Sequence, residues 1–206
     1  MKIVFFGDSI TAADRDRSDP SDLGSGYVGI LYEKLKNLYE STDFEFLNRG
    51  IGGDRVRDLE ARVDADVVAE RPDIAVVLVG INDVWRQYDT PEITEGHVYT
   101  PEYQETLSRL VETTLPEVKR MVLMTPYIIE PNREDPMRAR MDEYGRIVKE
   151  IAGKNDIPCV DLQAAFDRYC KEYYPASINW DRIHPNTAGH CIIARALLNA
   201  IGFEWK

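Results

Sequence analysis

The chain has 206 residues, of which 44% are hydrophobic and 30% are charged, and its formal net charge is −11. These values are typical of a globular protein, and we expect residues 1–206 to form a single domain. An acidic surface repels phosphate backbones and anionic lipids, so we expect neither nucleic acid nor a membrane as a partner. The apolar run at residues 3–6 is too short for the core of a signal peptide, which predicts a cytoplasmic protein.

Short runs of β-branched and aromatic residues alternate with longer stretches of helical periodicity. The predicted strands are residues 2–6, 45–47, 74–79, 121–124 and 157–160. The predicted helices are residues 27–39, 54–66, a helix with Thr100 as its N-cap and Pro101 at its first position, 137–152, 162–173 and 186–201. This alternation predicts parallel strands joined by right-handed crossovers. The expected fold class is α/β, a three-layer α/β/α sandwich with about five parallel strands.

Cysteine and histidine give no sign of a metal site. Cys159, Cys170 and Cys191 are too few and too scattered for a disulfide framework, and we expect them to be small buried residues in a reducing compartment. No pair of histidines has the spacing of metal ligands, so we expect no metal and no cofactor. We interpret His97 as a surface residue and His190 as part of helix packing.

Three polar or glycine-rich clusters directly follow the first three predicted strands. They are Gly7-Asp8-Ser9, residues 48–54 and Gly80-Ile81-Asn82-Asp83. Each cluster by itself is also compatible with an ordinary cap or turn. Ligands of parallel sheets bind beyond the carboxyl ends of the strands, so the three positions together predict one site.

A fourth cluster, Asp181-Arg182-Ile183-His184-Pro185, precedes the last predicted helix. It is compatible with a capped turn, but an Asp and a His three residues apart can also place a carboxylate against an imidazole. A serine nucleophile requires such a base, and acyl transfer requires donors aimed at the developing oxyanion. The backbone N–H groups of Ser9 and Gly53 and the side-chain amide of Asn82 are candidates for those donors.

The four clusters resemble, in order, the four signature blocks of SGNH/GDSL hydrolases, which have a flavodoxin-like fold. The resemblance implies a nucleophile and two partners for it: Ser9, with Asp181 and His184. It also implies that Gly53 and Asn82 belong to the oxyanion hole, since the glycine of the second block precedes Asp or Asn in this family.

Segments spread over nearly the whole chain carry a closer resemblance. They are residues 80–87, 124–126, 129–132, 135–138, 180–182 and 201–205. These segments are similar to intracellular bacterial acetylxylan esterases of the same superfamily. The resemblance implies a serine esterase that removes acetyl groups from xylo-oligosaccharides, and it implies a homo-oligomer. Arg55 is a departure, because many relatives have a small hydroxyl residue there.

Three residues in or beside the signature blocks are expected to bind the substrate: Asp8, Trp85 and Trp180. Aromatic faces suit sugar rings, although ordinary packing stays open for Trp85, for Tyr88 and for Trp180. Two other functions also stay open. A lipid acylhydrolase or thioesterase with the same triad would need an apolar acyl channel, and a carbohydrate-binding module without catalysis would need a broken triad.

The segment 84–99 is long for a connection between a strand and a helix. We expect it to form a lid or a contact between subunits. The aromatic residues available for such a contact are Trp85, Tyr88, Phe203 and Trp205.

Overall fold

The computed structural model describes residues 1–202 and contains, within them, one five-stranded sheet. Its strands are β1 (Lys2–Gly7), β2 (Glu45–Gly50), β3 (Ile74–Leu78), β4 (Arg120–Met124) and β5 (Cys159–Val160). β1 and β3 are almost entirely buried, because helices cover the sheet on both faces. Strands buried in this way are continuous apolar runs instead of alternating ones, which explains the sequence of both strands.

All strand pairs are parallel, and the order across the sheet is β2-β1-β3-β4-β5. This is the flavodoxin-like order, as predicted. Gly7 lies opposite Gly50 of β2 and Leu78 of β3, so the first three strands end at the same level. The three segments that follow them therefore start side by side.

The helices form the two outer layers. They are α1 (Ser9–Ala12), α2 (Tyr27–Leu38), α3 (Val56–Val63), α4 (Ile81–Asp89), α5 (Thr100–Thr114), α6 (Pro136–Lys154), α7 (Leu162–Cys170) and α8 (Thr187–Ala200). One layer contains α2, α7 and α8, and the other contains α3, α5 and α6, which right-handed crossovers require. The three-layer sandwich is thus confirmed. Within residues 1–202 no helix combines the length and apolar character that a bilayer span requires.

Several predicted boundaries were wrong. The helix predicted at 54–66 begins at Val56 and continues as the π-helical turn Asp64–Val68. The N-cap of α5 is Tyr99, because Thr100 and Pro101 occupy the first two helical positions. The connection 84–99 is largely ordered structure, since α4 fills its first part and the 3₁₀ turn Thr94–Gly96 its last.

Two predictions of exposure were also wrong. His97 is only 5% exposed, and its ring contacts the hydroxyl of Tyr99 and the carbonyl oxygen of Thr90, both at 3.1 Å. Cys191 is exposed, because it lies on the outer side of α8, whereas Cys159 and Cys170 are half-buried; all three thiols are free.

His190 packs inside as predicted. It is 7% exposed, its Nδ1 accepts a hydrogen bond from the backbone N–H of Tyr27 at 3.2 Å, and its ring stacks on that tyrosine. Burial lowers the pKa of His190 to about 4, so the ring is neutral at physiological pH.

One buried arginine joins α6 to α7. Arg138 is 2% exposed, and its two terminal nitrogens donate to the two carboxylate oxygens of Asp167 at 2.9 and 2.7 Å. Its Nε donates to Asp142 at 3.0 Å, and it also donates to the carbonyl oxygen of Glu130. Truncating this guanidinium leaves the partly buried carboxylate of Asp167 with only one ion pair within the described residues, the longer contact to the exposed Arg133 at 3.5 Å.

We expect Arg138→Ala to lower the free energy of unfolding by about 3–5 kcal/mol, because it breaks a buried ion pair from one side. Urea denaturation at neutral pH measures this. The matched control is Arg146→Ala, which removes an exposed arginine of the same helix that pairs with Glu150. The control should stay within about 0.5 kcal/mol of the wild type. Equal decreases in the free energy of unfolding of the two variants would contradict the assignment of Arg138 to a buried ion pair.

Candidate active site

Ser9 begins α1 directly at the end of β1. The preceding Asp8 is the N-cap, and its Oδ1 accepts a hydrogen bond from the backbone N–H of Ile10 at 2.9 Å. This cap directs the chain sharply from strand to helix, which leaves the serine hydroxyl at the mouth of the sheet. The Oγ of Ser9 lies 2.9 Å from Nε2 of His184, a residue 175 positions later in the chain.

The second ring nitrogen of His184 contacts a carboxylate. Its Nδ1 lies 2.5 Å from Oδ2 of Asp181, and the backbone N–H groups of Ile183 and His184 donate to Oδ1 of the same residue. Burial by itself would raise the pKa of Asp181, but these hydrogen bonds hold that pKa below its usual value. The carboxylate is therefore ionised and fixes the orientation of the imidazole.

The turn that carries Asp181 and His184 is held by local contacts. Arg182 adopts a left-handed backbone with φ of 71°, and its backbone N–H donates to the side chain of Asn179 at 2.5 Å. An antiparallel bridge joins Asn179 to Pro185 across the turn. These contacts explain how a spacing of three residues brings the carboxylate and the ring together.

Two loops place hydrogen-bond donors near Ser9. Gly53, in the loop after β2, has a φ of 87°, a left-handed conformation that favours glycine. Asn82, in the first turn of α4, is 2% exposed, and its side-chain amide donates to the carbonyl oxygen of Asp54 at 3.0 Å. This bond ties the two loops together. Among the described residues, the backbone N–H groups of Ser9 and Gly53 donate to no acceptor, which leaves them free for a ligand.

Two carboxyl groups lie buried behind these loops. Asp8 is 1% exposed and Asp83 is 0% exposed, and the Oδ2 of each has no hydrogen-bond partner among the described residues. The Oδ1 of Asp83 accepts from the backbone N–H of Val56 at 3.0 Å and so holds the start of α3. Burial raises the pKa of Asp8 to about 7 and, with the charge of Asp8, raises the pKa of Asp83 to about 8.

This burial changes the interpretation of both residues. The carboxyl of Asp8, expected to contact substrate, is instead enclosed, because it caps α1 from inside the protein. Asp83 was missed by the sequence analysis. The signal was present in the Gly80-Ile81-Asn82-Asp83 cluster, where an acid at the start of a helix after a buried strand is also enclosed.

Two tryptophans contact the ring of His184. Trp180 is 82% exposed and stacks on it with an interplanar angle of 16°, while the half-buried Trp85 meets it edge-on at 6.0 Å between ring centroids. The hydroxyl of Tyr88 donates to the carbonyl oxygen of Pro136 at 2.8 Å. The exposed face of Trp180 is open to a ligand.

The cleft in front of Ser9 has a volume of about 760 Å³. Its lining is mainly polar or small: Ser9, Ile10, Ala12, Ala13, Asp14, Arg15, Arg17, Ser25, Gly50, Gly52, Trp180, His184, Pro185, Asn186, Thr187 and His190. Arg55 is not among them, because its guanidinium pairs with Asp58 at 2.8 Å and donates to the carbonyl oxygen of Gly96. Over the part of the chain that the structure describes, no three His, Cys, Asp or Glu side chains are arranged to hold a metal ion.

A family model described as the GDSL-like lipase/acylhydrolase family matches residues 5–192. This chain belongs to that family. Its members are carboxylic ester hydrolases, and the serine, imidazole and carboxylate described above are the groups that such chemistry requires.

Two relatives match over nearly their whole length. An acetylxylan esterase of Geobacillus stearothermophilus is 50% identical over 208 residues, which cover 99% of this chain and 95% of that protein, and its crystal structure superposes with a TM-score of 0.96. Structures of that esterase include catalytic mutants in which a serine, a histidine or an aspartate is replaced by alanine. An α/β hydrolase enzyme from the metagenome of Lake Arreo, Spain, is 49% identical, with a TM-score of 0.95 and coverage of 98% of this chain and 94% of that one.

The buried carboxyl of Asp83 predicts a pH dependence of stability. Its pKa in the folded protein is about 8, above the ordinary value of about 3.9, so between these pH values the folded state holds a proton that the unfolded state has lost. This group therefore lowers the free energy of unfolding by about 1.4 kcal/mol for each unit that the pH rises within that window.

Asp83→Asn keeps an acceptor for the N–H of Val56 and removes the titration. We expect the free energy of unfolding of this variant, relative to the wild type, to increase from pH 5 to pH 7 in urea titrations. Glu112→Gln, which removes an exposed carboxylate of α5, is the control for the lost charge. Parallel pH profiles for wild type and Asp83→Asn would contradict a protonated buried carboxyl.

Proposed function

We propose that this chain is a serine esterase that hydrolyses acetyl esters on carbohydrates, with acetylated xylo-oligosaccharides as its substrates. The observation that carries the proposal is the continuous contact from the hydroxyl of Ser9 through His184 to Asp181, beside a cleft lined by polar and small residues. The substrate class is supported by the acetylxylan esterase that shares 50% of its residues over nearly the whole chain.

In the proposed mechanism, Oγ of Ser9 attacks the acetyl carbonyl carbon. Nε2 of His184 accepts the hydroxyl proton of Ser9 in the same step. Asp181 holds the ring in the correct tautomer and stabilises the imidazolium that forms. The oxyanion is then stabilised by the backbone N–H groups of Ser9 and Gly53 and by the side-chain amide of Asn82.

Collapse of this tetrahedral intermediate breaks the bond to the sugar oxygen, which receives the proton from His184, and leaves an acetyl group on Ser9. Water, deprotonated by the same imidazole, attacks the acetyl-serine in the second step. Acetate leaves, and the proton returns to the serine hydroxyl. The chemistry needs no redox change and no co-reactant other than water.

The cleft favours a sugar ester over a lipid ester. Its lining around the serine includes Asp14, Arg15, Arg17 and Asn186, and such polar groups do not form an acyl channel. The stacked ring of Trp180 offers an exposed aromatic face, which is a surface suited to a sugar ring. We therefore retain Trp180 as the main substrate-binding aromatic and assign Trp85 to the support of His184.

Some expectations stay predictions. The homo-oligomer and the cytoplasmic location are among them, and so is the role of the segment 84–99 as a lid or a subunit contact. Phe203 and Trp205, expected at an interface, lie outside the described residues. Tyr88 is 40% exposed and stays available for such a contact.

Two substitutions test the catalytic assignments. We expect Ser9→Ala to lower kcat on 4-nitrophenyl acetate by roughly 10⁴–10⁶-fold, because it removes the nucleophile. Asn82→Ala should lower kcat by about 10²–10³-fold, because one oxyanion donor is lost. Asn37→Ala, an exposed position on α2, is the control and should leave the rate unchanged. Normal turnover by Ser9→Ala would refute the proposed mechanism.

Substrate range tests the proposed function directly. We expect release of acetate from acetylated xylo-oligosaccharides, measured by an enzyme-coupled assay. We also expect kcat/KM for 4-nitrophenyl acetate to exceed that for the octanoate by about tenfold or more, since the polar cleft does not accommodate a long chain. A preference for the octanoyl ester would favour the lipid acylhydrolase alternative instead.

A further inference from the structure

One wall of the cleft beside the serine carries two arginines. Arg15 and Arg17 belong to the segment that follows α1, and they line the same cleft as Ser9, Trp180 and His184. The chain has 36 acidic and 25 basic residues, so its net charge is negative, whereas these two guanidinium groups are positive. The proposed acetyl transfer uses neither of them.

Within the part of the chain that the structure describes, neither arginine forms an ion pair with a carboxylate. Among residues 1–202, no carboxylate oxygen lies within 4.0 Å of a guanidinium nitrogen of Arg15 or Arg17. The neighbouring Arg49 and Arg62, by contrast, are paired with carboxylates, and the bond of Arg49 to Glu70 measures 2.6 Å. The charges of the cleft arginines are therefore available to a ligand.

The position of Arg15 concentrates positive charge. It is half-buried, and its Nε donates to the carbonyl oxygen of Gly50 at 3.1 Å, which fixes the guanidinium at the end of β2. Burial lowers the pKa of Arg15, the charges of Arg17, Arg49 and Arg62 lower it further, and the charge of Asp66 partly offsets them. An anion bound here would offset the repulsion among these groups.

The acidic residues of the same segment form no ion pair with Arg15 or Arg17 within the described residues, although the charges of Asp22 and Arg15 attract each other. Asp14 also lines the cleft, and its charge acts on His190. That charge raises the pKa of His190, whereas burial lowers it by more. Asp16 accepts hydrogen bonds from Ser18, and Asp22 accepts from the backbone of its own segment. The positive charge of the cleft therefore lies with Arg15 and Arg17, at the end of β2.

We propose that Arg15 and Arg17 form a subsite for a carboxylate on the sugar chain, so that the preferred substrate is an acetylated xylo-oligosaccharide bearing a uronic acid. This inference rests on the proposed function and narrows its substrate class. Guanidinium groups bind carboxylates through paired N–H···O bonds, a geometry that neutral sugars do not match.

The test compares acetylated xylo-oligosaccharides with and without a glucuronic acid branch. At low ionic strength, we expect the wild type to have a kcat/KM about tenfold higher for the acidic substrate, mainly through a lower KM, since a charge-assisted bond contributes this much. The ratio should fall when salt is raised to about 0.5 M, because Arg17 is exposed and Arg15 is only half-buried, so ions in solution screen both charges.

Arg17→Gln and Arg15→Gln should each bring the ratio of the two kcat/KM values towards one. Arg17 is exposed and forms no ion pair with the described residues, so its substitution leaves the fold unaffected even if Arg15→Gln disturbs the contact with Gly50. Arg146→Gln, an exposed arginine of α6 outside the cleft, is the control and should keep the wild-type ratio. Equal kcat/KM values in the wild type, or a ratio unchanged in both cleft variants, would overturn the proposal.

A binding measurement separates this inference from the proposed function. Calorimetry with Ser9→Ala should show tighter binding of a deacetylated oligosaccharide that bears glucuronic acid than of its neutral counterpart. If the double variant Ser9→Ala/Arg17→Gln binds the two oligosaccharides equally well, the subsite is supported by a measurement that does not depend on catalysis. If acetate is not released from either substrate but the binding difference persists, the proposed function fails and the carboxylate subsite stands. Equal binding of both oligosaccharides overturns the subsite.

Discussion

The common level at which three parallel strands end is the constraint on which the site depends. β1, β2 and β3 are in register at Gly7, Gly50 and Leu78, so the segments that follow them emerge at one edge of the sheet. The side chains and backbone N–H groups of these three segments therefore lie close together at that edge. Asp181 and His184 come from a turn near the C-terminal end of the chain, and the hydrogen bond that the Ser9 hydroxyl donates to Nε2 of His184 joins this turn to the site.

Three aspartates of this site differ because their surroundings differ. Asp181 accepts three hydrogen bonds and stays ionised, which is the state that can stabilise an imidazolium. Asp8 and Asp83 are enclosed, each with one unpaired oxygen, and burial favours their neutral forms. Their hydrogen bonds position the start of α1 and of α3, so they support the oxyanion loops from inside and leave the cleft to other residues.

The cleft combines two surfaces of different character. The stacked rings of Trp180 and His184 form an aromatic surface next to the serine. The segment after α1 supplies the guanidinium groups of Arg15 and Arg17. An aromatic face recognises the apolar side of a sugar, and an arginine recognises a negative charge on it. A sugar chain that carries both an acetyl ester and a carboxylate would engage both surfaces.

The amino-acid sequence by itself determined the five strands, their parallel arrangement and the four polar clusters, because apolar runs and turn residues are local signals. The triad was predicted from the position of Ser9 after the first strand, from the three-residue spacing of Asp181 and His184, and from the resemblance of the four clusters to SGNH/GDSL hydrolases. Helix ends, the enclosure of His97 and Asp8 and the exposure of Cys191 were decided by the tertiary structure. Burial depends on which face of an element meets its neighbours, and residues distant in the sequence supply those neighbours. The unpaired state of Arg15 and Arg17 was decided in the same way, since only the fold shows which carboxylates are within reach.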